Sequence, residues 1–408
     1  MQKFTQINRC RVCGSDKLME VLDLNEQPLA NSYHNGEEEQ DFFPLKLNTC
    51  TRCFHSQLSV VVNPDLMFKD YLYVSGTSET LDQYFEEFVD MCDEYVGIET
   101  PPQRSLRVLD IACNDGTQLD KFKERGWETF GVDPAENLFD LSSRNHEVKC
   151  AYWNEEVALS FGHKFDLIVA QNVFAHVDDV HQFLRSCARV LETEGAIVIQ
   201  TSQANMILDG QFDTIYHEHL SFFSTRSMSV CADQNSFKVY DVKKVAVHGG
   251  SYVFVLKFRS LHGTPDNVFW MSLQEDRAGV YREETYKEYA LKCKKVVNDF
   301  KQKIEEFRDN GFKVIGYGAA AKGNTFLNFA NISLDYIVDD NELKQGLLTP
   351  GKNIPIVSSD VLRQEDPNKT VVVPLAWNFF EEIKTKVQAL SEENFTFIKY
   401  FPEMEVVK

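Results

Sequence analysis

The chain has 408 residues, which is enough for two or three domains, and its 43% of hydrophobic residues is ordinary for globular cores. Its net charge of −20 repels nucleic-acid phosphates over most of the surface, so the sequence predicts no nucleic-acid partner, although a local basic pocket can still hold a phosphate ligand. The sequence has no run of eighteen apolar residues and no apolar segment at its N-terminus. We therefore expect no membrane span, no secretory signal and a cytoplasmic protein.

The N-terminal region carries two CxxC pairs, Cys10 with Cys13 and Cys50 with Cys53. Each pair can sit on a tight knuckle, and two knuckles supply the four sulfur ligands that a tetrahedral zinc ion prefers. Four protein ligands leave no open position, so the predicted zinc is structural. The spacing between the pairs exceeds that of ordinary zinc fingers, so the intervening segment should form its own small loop or hairpin. Four free thiols are the alternative.

Residues 107–136 have the pattern of a strand (108–112), a turn (113–117), a helix (118–125) and a second strand (129–132) that ends in Asp133. This is the repeating unit of a doubly wound α/β sheet, in which ligands lie at the carboxyl ends of the strands. A carboxylate at the position of Asp133 can bind a ribose diol. The preceding residues are predicted to contain an extended segment around Tyr71 and Tyr73, a turn, and a helix over 79–95.

The turn indicates which cofactor binds. It has a single glycine, Gly116, and carboxylates at Asp110 and Asp115, whereas a dinucleotide site has a glycine-rich loop that closes on a pyrophosphate. Two carboxylates repel a pyrophosphate and suit a cation such as the sulfonium of S-adenosylmethionine (SAM). A helix cap without a ligand is the alternative. The stretch resembles motif I of class I SAM-dependent methyltransferases, with Cys113 and Asn114 where glycine is usual.

Two further stretches carry acid–base residues. A strand over 165–170 is followed by Asn172 and His176, a helix over 180–191 and a strand over 196–200. Tyr216-His217-Glu218-His219 does not fit the zinc-protease pattern HExxH, but it supplies a histidine base, an orienting carboxylate and a hydrogen-bonding phenol. The alternatives are a satisfied polar histidine at 176, and an exposed polar turn before a helix that starts near Ser224.

The C-terminal part begins with one or two long helices over 275–310, expected to be mostly a solvated connector. A second α/β pattern follows, with strands over 313–317, 336–338, 370–374 and 395–400 and a helix from Trp377 to about residue 390. Its small-residue loop at 318–325 is not a Walker A loop, but with Lys322 it can hold a phosphate. His248-Gly249-Gly250 precedes a strand over 252–258, and its glycines permit close approach of backbone to a ligand.

These motifs together resemble the C-methyltransferases of nucleotide-linked 4-keto-6-deoxysugars. The matching stretches run nearly end to end: the two CxxC pairs, YLYVSGTS, LDIACNDGT, QNVFAHVDDV, YHEHLSFFS, HGGS, YGAAAKGNT, DDNELKQG, PGKNIPI and LAWNF. The resemblance implies an α/β protein of three domains. The first is a small zinc-binding domain over 1–70. The second and third are Rossmann-like α/β domains, one that binds SAM over 71–270 and one that binds the substrate and its nucleotide over 271–408. It implies a nucleotide-diphosphate sugar as substrate, and a monomer or small homo-oligomer.

The resemblance also implies residue roles. His219 is the leading base that removes the C3 proton, with Glu218 and Tyr216 in support, His176 near the keto end, and Tyr73 (or Tyr71) at the substrate. The SAM residues are Asp110, Asn114, Asp115, Gly116, Asp133 and Asn172, and the substrate residues are Lys322, Asn324 and His248. His217 stays a competitor for the base, because side chains two apart on an extended segment point the same way. Methyl transfer to oxygen, or a non-catalytic zinc adaptor, are the rival functions.

Overall fold

A computed structural model describes residues 3–37, 39–69, 76, 79–96, 104–202, 205–260, 266–391 and 393–408, with the side chains of 79–81 and 248 excepted. Tyr71 and Tyr73 lie outside the described residues. Within this part of the chain, every helix is too short or too polar to cross a bilayer.

The N-terminal region is an antiparallel sheet built on one long hairpin. The two pairs of cysteines lie at its base, because β2 starts shortly after Cys13 and β3 ends at Cys50. A hairpin is confirmed here, but it is longer than the small one predicted. The strands are β1 (Phe4–Gln6), β2 (Leu18–Pro28), β3 (Phe42–Cys50), β4 (Ser56–Leu58) and β5 (Val60–Val62).

The central domain is a seven-stranded sheet whose strands, numbered from its first, lie in the order 3-2-1-4-5-7-6. The first five are parallel, and the last is inserted antiparallel beside the fifth. This is the class I methyltransferase sheet. Its strands are β6 (Arg107–Ile111), β7 (Glu128–Asp133), β8 (Glu147–Cys150), β9 (Phe165–Gln171), β10 (Leu191–Ser202), β12 (Phe237–Val245) and β13 (Ser251–Phe258).

The helices of this domain pack on both faces of the sheet, and apolar runs such as Phe165–Gln171 are buried on both sides, as in parallel sheets generally. The helices are α1 (Glu79–Asp93), α2 (Thr117–Glu124), α3 (Phe139–Ser142), α4 (Glu155–Leu159), α5 (Val180–Val190), α6 (Met206–Asp209) and α7 (Thr225–Gln234), which Ser224 caps. One strand of this part of the chain, β11 (Ser221–Phe222), leaves the domain and pairs with β4 of the N-terminal sheet.

The C-terminal domain is a second mostly parallel sheet, of six strands. Only its last strand is antiparallel among the described residues. Its elements are β14 (Lys313–Tyr317), α10 (Ala321–Ala330), β15 (Ile337–Val338), β16 (Ile356–Val357), β17 (Thr370–Pro374), α11 (Phe380–Gln388), β18 (Thr396–Lys399) and β19 (Glu405–Val407). The second α/β unit predicted from the sequence is therefore confirmed.

Two helices join the central and C-terminal sheets: α8 (Asp266–Arg277) and α9 (Glu283–Asp309). The prediction of helices that are mostly solvated is confirmed for α9, because only a narrow stripe of it is buried. The stripe consists of apolar residues at helical spacing, from Tyr289 through Cys293 to Phe300, and it packs against the N-terminal and C-terminal domains. The composition of the helix did not indicate these two partners.

Candidate active site

The four predicted zinc ligands lie together. The sulfur atoms of Cys10, Cys13, Cys50 and Cys53 all fall within 4.8 Å of one another. Two of the sulfur–sulfur distances are 3.5 Å (Cys10 to Cys53) and 3.6 Å (Cys13 to Cys50). Zinc–sulfur bonds of ~2.3 Å at tetrahedral angles put sulfurs about 3.8 Å apart. The cluster therefore fits one zinc ion that has no position left for a substrate.

The turn after β6 has the shape of a ligand cradle. Ala112, Asn114 and Gly116 all have positive φ, at 67°, 51° and 88°, so backbone groups turn outward at the carboxyl end of the sheet. A Cβ at Gly116 would also come within 3.2 Å of the His146 ring. The Asp115 carboxylate is used in holding the turn, because it accepts from Gly76 N (2.8 Å) and from Thr117 N (3.1 Å).

Two buried carboxyl groups lie beside this turn. Asp133, at the end of β7, accepts from Asn114 N (2.9 Å) and Ala135 N (2.8 Å), which leaves the remaining lone pairs for a diol. Burial raises the pKa of Asp110 well above its ordinary value, and the carboxylates of Asp133 and Asp115 raise it further. A positively charged ligand would offset that effect. Asn172 contributes a buried Oδ1 that has no hydrogen-bond partner among the described residues.

His219 is held in one tautomer. Its Nδ1 lies 2.7 Å from the carbonyl oxygen of Thr214, and a carbonyl can only accept, so Nδ1 carries the proton and Nε2 of the neutral ring is the basic atom. Nε2 lies 3.0 Å from the Tyr216 hydroxyl. Thr214, which the sequence analysis missed, thus orients the ring. The one hint in the sequence is that Thr214 is a small polar residue just before the YHEH stretch.

His176 faces the same point from the end of β9. Its ring centre lies 5.1 Å from that of His219, and it stacks on Phe68 at 5.8 Å. Burial lowers the pKa of His176 to about 4, so the ring is neutral near pH 7. Its Nε2 is buried and has no hydrogen-bond partner in the described part of the chain. The structure therefore brings the two predicted histidines together.

His217 points elsewhere, so the expectation that it shares a direction with His219 is wrong. The segment is a turn closed by the hydrogen bond from His219 N to Tyr216 O (2.9 Å) rather than an extended strand. His217 Nε2 contacts the carbonyl of Pro44 in β3 at 3.3 Å, and its ring lies against Phe43. The segment is also buried, with His217 and His219 only 1% and 6% exposed, which rules out an exposed polar turn.

The tip of the N-terminal hairpin, between the end of β2 and the start of β3, contacts the candidate site. Asn31 Nδ2 donates to Glu218 Oε1 at 2.6 Å. On its other side the tip meets α10 and the loop before it. Asn324 Nδ2 in α10 donates to the carbonyl of Ala30 (2.8 Å), and Tyr33 donates to the carbonyl of Ala319 in the loop (2.5 Å). Asn324 Oδ1 is buried without a hydrogen-bond partner among the described residues. Asn31 and Tyr33 were missed in the sequence analysis because they lie between the two CxxC pairs and belong to no motif.

Lys322 lies at the junction of the central and C-terminal domains. Its Nζ lies 4.8 Å from the centre of the Trp377 ring. Trp377 Nε1 and Tyr400 donate to the buried carboxylate of Asp213 at 2.7 and 3.1 Å. Burial lowers the pKa of Lys322, and Asp213 acts against that shift. Gly249 is needed beside Trp377, because a Cβ there would come within 2.9 Å of the indole ring. The side chain of His248 lies outside the described set.

The C-terminal sheet repeats the turn geometry of the central sheet. Asp339, at the end of β15, accepts from Ala319 N in the loop after β14 (2.7 Å) and from Asn341 N (2.8 Å). These are the two bonds that Asp133 makes, in the same positions relative to the strands. The second crevice thus has the form of the first. The sequence analysis predicted the strand that precedes Asp339 but gave Asp339 itself no role.

Known sequence families match most of the chain in three consecutive pieces. Residues 10–68 match a zinc binding domain, residues 83–242 a methyltransferase domain and residues 246–402 the C-methyltransferase C-terminal domain. C-methyltransferase NovU of Streptomyces niveus is 30% identical over 413 aligned positions, which cover 98% of this chain and 97% of NovU. The chain belongs to the C-methyltransferase family. It is a SAM-dependent C-methyltransferase with a structural zinc site, so a non-catalytic adaptor is excluded.

Two further similarities each cover less than half of this C-methyltransferase. Ubiquinone biosynthesis O-methyltransferase of Bradyrhizobium diazoefficiens is 32% identical over 107 residues, 24% of this chain and 41% of that protein. The magnesium protoporphyrin IX methyltransferase ChlM of Synechocystis PCC 6803, solved with bound SAM, superimposes with a TM-score of 0.32 and 10% identity over 43% of this chain and 78% of ChlM.

Proposed function

We propose that the enzyme transfers the methyl group of SAM to C3 of a nucleotide-linked 4-keto-6-deoxysugar. The observation that carries the proposal is the His219 ring, fixed in one tautomer beside a neutral His176 at the carboxyl end of the methyltransferase sheet. Methylation at carbon needs a carbon nucleophile, and that in turn needs a base. A keto group at C4 acidifies the neighbouring C3 hydrogen enough for an imidazole to remove it.

In the proposed reaction His219 Nε2 takes the C3 proton, the C3–H electron pair forms the C3–C4 double bond, and the carbonyl oxygen at C4 becomes an enolate oxygen. SAM supplies an electrophilic methyl group. The C3–C4 π pair then forms the new bond from C3 to this methyl carbon, the C4 carbonyl re-forms, and the pair of the broken carbon–sulfur bond stays on sulfur. Tyr216, 3.0 Å from Nε2, hydrogen-bonds a substrate oxygen or passes the proton on. The unpartnered Nε2 of His176 faces the keto end, and Tyr73 is assigned there as well.

The SAM site in this proposal is formed by Asp110, the Asn114–Asp115–Gly116 turn, Asp133 and Asn172. Asp133 holds the ribose diol, and the unpartnered Oδ1 of Asn172 accepts from the cofactor. Glu218, held by Asn31, supports the charge that develops on the neighbouring imidazole.

The nucleotide diphosphate is assigned to the C-terminal domain. Lys322 is a half-buried cation at the start of α10, where backbone N–H groups also favour an anion. Asn324 Oδ1, His248 and the Asp339 crevice complete this set. We accordingly divide the chain into a zinc domain (1–70), a SAM domain (71–270) and a substrate domain (271–408).

Product analysis tests the reaction. The purified enzyme is incubated with SAM and a panel of nucleotide 4-ketosugars, and products are examined by mass spectrometry and by NMR. A gain of one methyl group on carbon C3 is expected. A methyl group on oxygen would establish O-methylation instead, and no product with any 4-ketosugar would refute the substrate class.

His219→Asn tests the base. Asparagine can keep the contact with Thr214 but has no basic nitrogen, so kcat should fall by about 10²–10⁴ while SAM affinity stays the same. Wild-type enzyme should exchange the C3 hydrogen with solvent deuterium, and the variant should not. His217→Gln is the matched control and should retain exchange, because His217 faces Pro44. Exchange that survives in His219→Asn and is lost in Tyr216→Phe would move the base to Tyr216.

A further inference from the structure

One side chain of the first zinc knuckle contacts the segments that carry both candidate catalytic histidines. Arg11 lies between Cys10 and Cys13, and its side chain is 3% exposed. Its Nε donates to the carbonyl oxygen of Leu220 at 3.4 Å, and its Nη1 pairs with the carboxylate of Asp178. Leu220 directly follows His219, and Asp178 is two residues beyond His176.

The backbone of the knuckle is tied to the same segment. The Gln57 side chain in β4 accepts from Arg11 N (2.8 Å) and donates to the carbonyl of Arg9 (3.0 Å). Gln57 is also the register partner of Ser221 in β11. Leu58 N donates to the Leu220 carbonyl at 3.0 Å. The strand that follows His219 is therefore an edge of the zinc-bound sheet.

We propose that Arg11 is a positioning residue, which carries the geometry of the zinc knuckle to His219 and His176 and fixes the distance between their rings. The roles of these two histidines rest on the proposed function, whereas the contacts of Arg11 do not. An arginine suits this place because its planar fork donates in several directions at once, so one group can hold a carbonyl on one side and a carboxylate on the other. A lysine at this position has only a compact ammonium group and cannot span both acceptors.

The contacts of Arg11 would give the zinc domain a part in catalysis as well as in folding. A zinc ion bound by the four clustered cysteines would hold the two knuckles together and so restrict the position of Arg11. A displacement of ~1 Å at a reacting group can cost about 10²-fold in rate. Arg11 would thus link the cysteine cluster to the rate, although neither Arg11 nor the cysteines touch the substrate.

Arg11→Lys is the test. Arg9→Lys is the matched control, since Arg9 lies next to the same knuckle but its exposed side chain donates to the Gly14 carbonyl (3.3 Å) rather than toward the histidine segments. Both variants should keep zinc and their melting temperature. Arg11→Lys should lower kcat by about 10- to 100-fold with little change in KM, and the control should match wild type. A role in folding alone would lower stability and leave kcat of the folded enzyme unchanged.

A second readout needs no substrate. With ¹⁵N-labelled histidine, Arg11→Lys should shift the imidazole signals of His219 and His176 and leave that of His34 in place, while Arg9→Lys should shift none. Unchanged signals and unchanged kcat in a folded, zinc-loaded Arg11→Lys enzyme would overturn the inference. If the wild-type enzyme methylates no ketosugar, the proposed function is refuted. The NMR measurement still tests, without any substrate, whether Arg11 positions the two histidine rings.

Should Arg11→Lys lose zinc or fail to fold, Asp178→Asn takes its place. The Asp178 side chain is 58% exposed, so its replacement leaves the knuckle intact and removes only the charged partner. Asp178→Asn should shift the His176 signal and lower kcat in the same direction. Wild-type spectra and kcat in this variant would overturn the inference.

Discussion

Asp133→Ala and Asp339→Ala form a matched pair that separates cofactor binding from loop stability. Each carboxylate ends the second strand of its sheet, is 8% exposed, and accepts two backbone N–H groups at 2.7–2.9 Å. The backbone hydrogen bonds lost are therefore alike in the two variants, and Asp339→Ala in addition removes an ion pair with Lys344 (3.7 Å). A difference in SAM affinity between the two variants therefore measures the direct contribution of Asp133 to SAM binding, apart from its role in stabilising the turn.

The magnitudes follow from the hydrogen bonds. A hydrogen bond to a charged acceptor contributes ~1.5–3 kcal/mol. The loss of one buried and one part-buried bond, set against the released cost of burying the carboxylate, should lower the free energy of unfolding by about 2–4 kcal/mol in either variant. Asp133→Ala should in addition remove the bonds to the ribose diol, which would weaken SAM binding by ~1.5–3 kcal/mol, or roughly 10- to 150-fold in Kd. Asp339→Ala should leave SAM affinity unchanged.

Isothermal titration with SAM and urea unfolding measure the two quantities on the same samples. Equal SAM affinity in wild type and Asp133→Ala would place the donor elsewhere and refute the assignment of this crevice. Equal loss of SAM affinity in both variants would show that the effect passes through general loosening of the fold. Titration with a nucleoside diphosphate should give the reverse pattern, with the loss confined to Asp339→Ala.

Two further predictions concern the metal and pH. Elemental analysis should give about one zinc per chain, since one set of four thiolates holds one ion. Cys13→Ser should lose both the metal and stability. Normal folding of this variant without zinc would contradict the assignment of the four cysteines as a structural zinc site. Burial lowers the pKa of His217 from 6.5 to about 4, so as pH falls below 6.5 the unfolded chain takes up a proton there before the folded protein does. The free energy of unfolding should therefore fall by up to ~1.4 kcal/mol for each unit that the pH drops between 6.5 and 4, because of His217 alone. In His217→Gln the free energy of unfolding should fall less steeply over this range, by about that amount per pH unit. Equal slopes in the variant and the wild type would show that the imidazole is not buried in its uncharged form.

The elements that were predicted from sequence are those in which local pattern and burial agree. The strand Lys313–Tyr317 was predicted with its observed ends, and β6, α2 and β7 within one or two residues. In the three strands a buried apolar run is followed by a turn with glycine or a small residue, and α2 ends just before the turn at Gly126, so periodicity and turn chemistry mark the same boundaries. The four zinc ligands were also predicted from local spacing alone, because each CxxC pair closes its own knuckle.

What sequence could not supply is the partner of each element. The charged composition of α9 suggested a solvated helix, but its narrow apolar stripe is buried because two other domains meet it. The pairing of β11 with β4 joins residues more than 160 positions apart. Nothing local marks such a contact, since a two-residue strand has no periodicity. His217 and His219 were inseparable for the same reason: the turn that separates them depends on the contacts around it.

The segment from Asp213 to Ser221 contacts all three domains. Asp213 is held by Trp377 and Tyr400 of the C-terminal domain, and Glu218 by the hairpin tip. The residues after His219 belong to the zinc-bound sheet, while the ring of His219 meets His176 of the methyltransferase sheet. Because this one segment is bound from three sides, its position depends on contacts with all three domains. With His219 as the proposed base, we expect substitutions at the contacts of the zinc and C-terminal domains with this segment not to be additive in their effects on kcat.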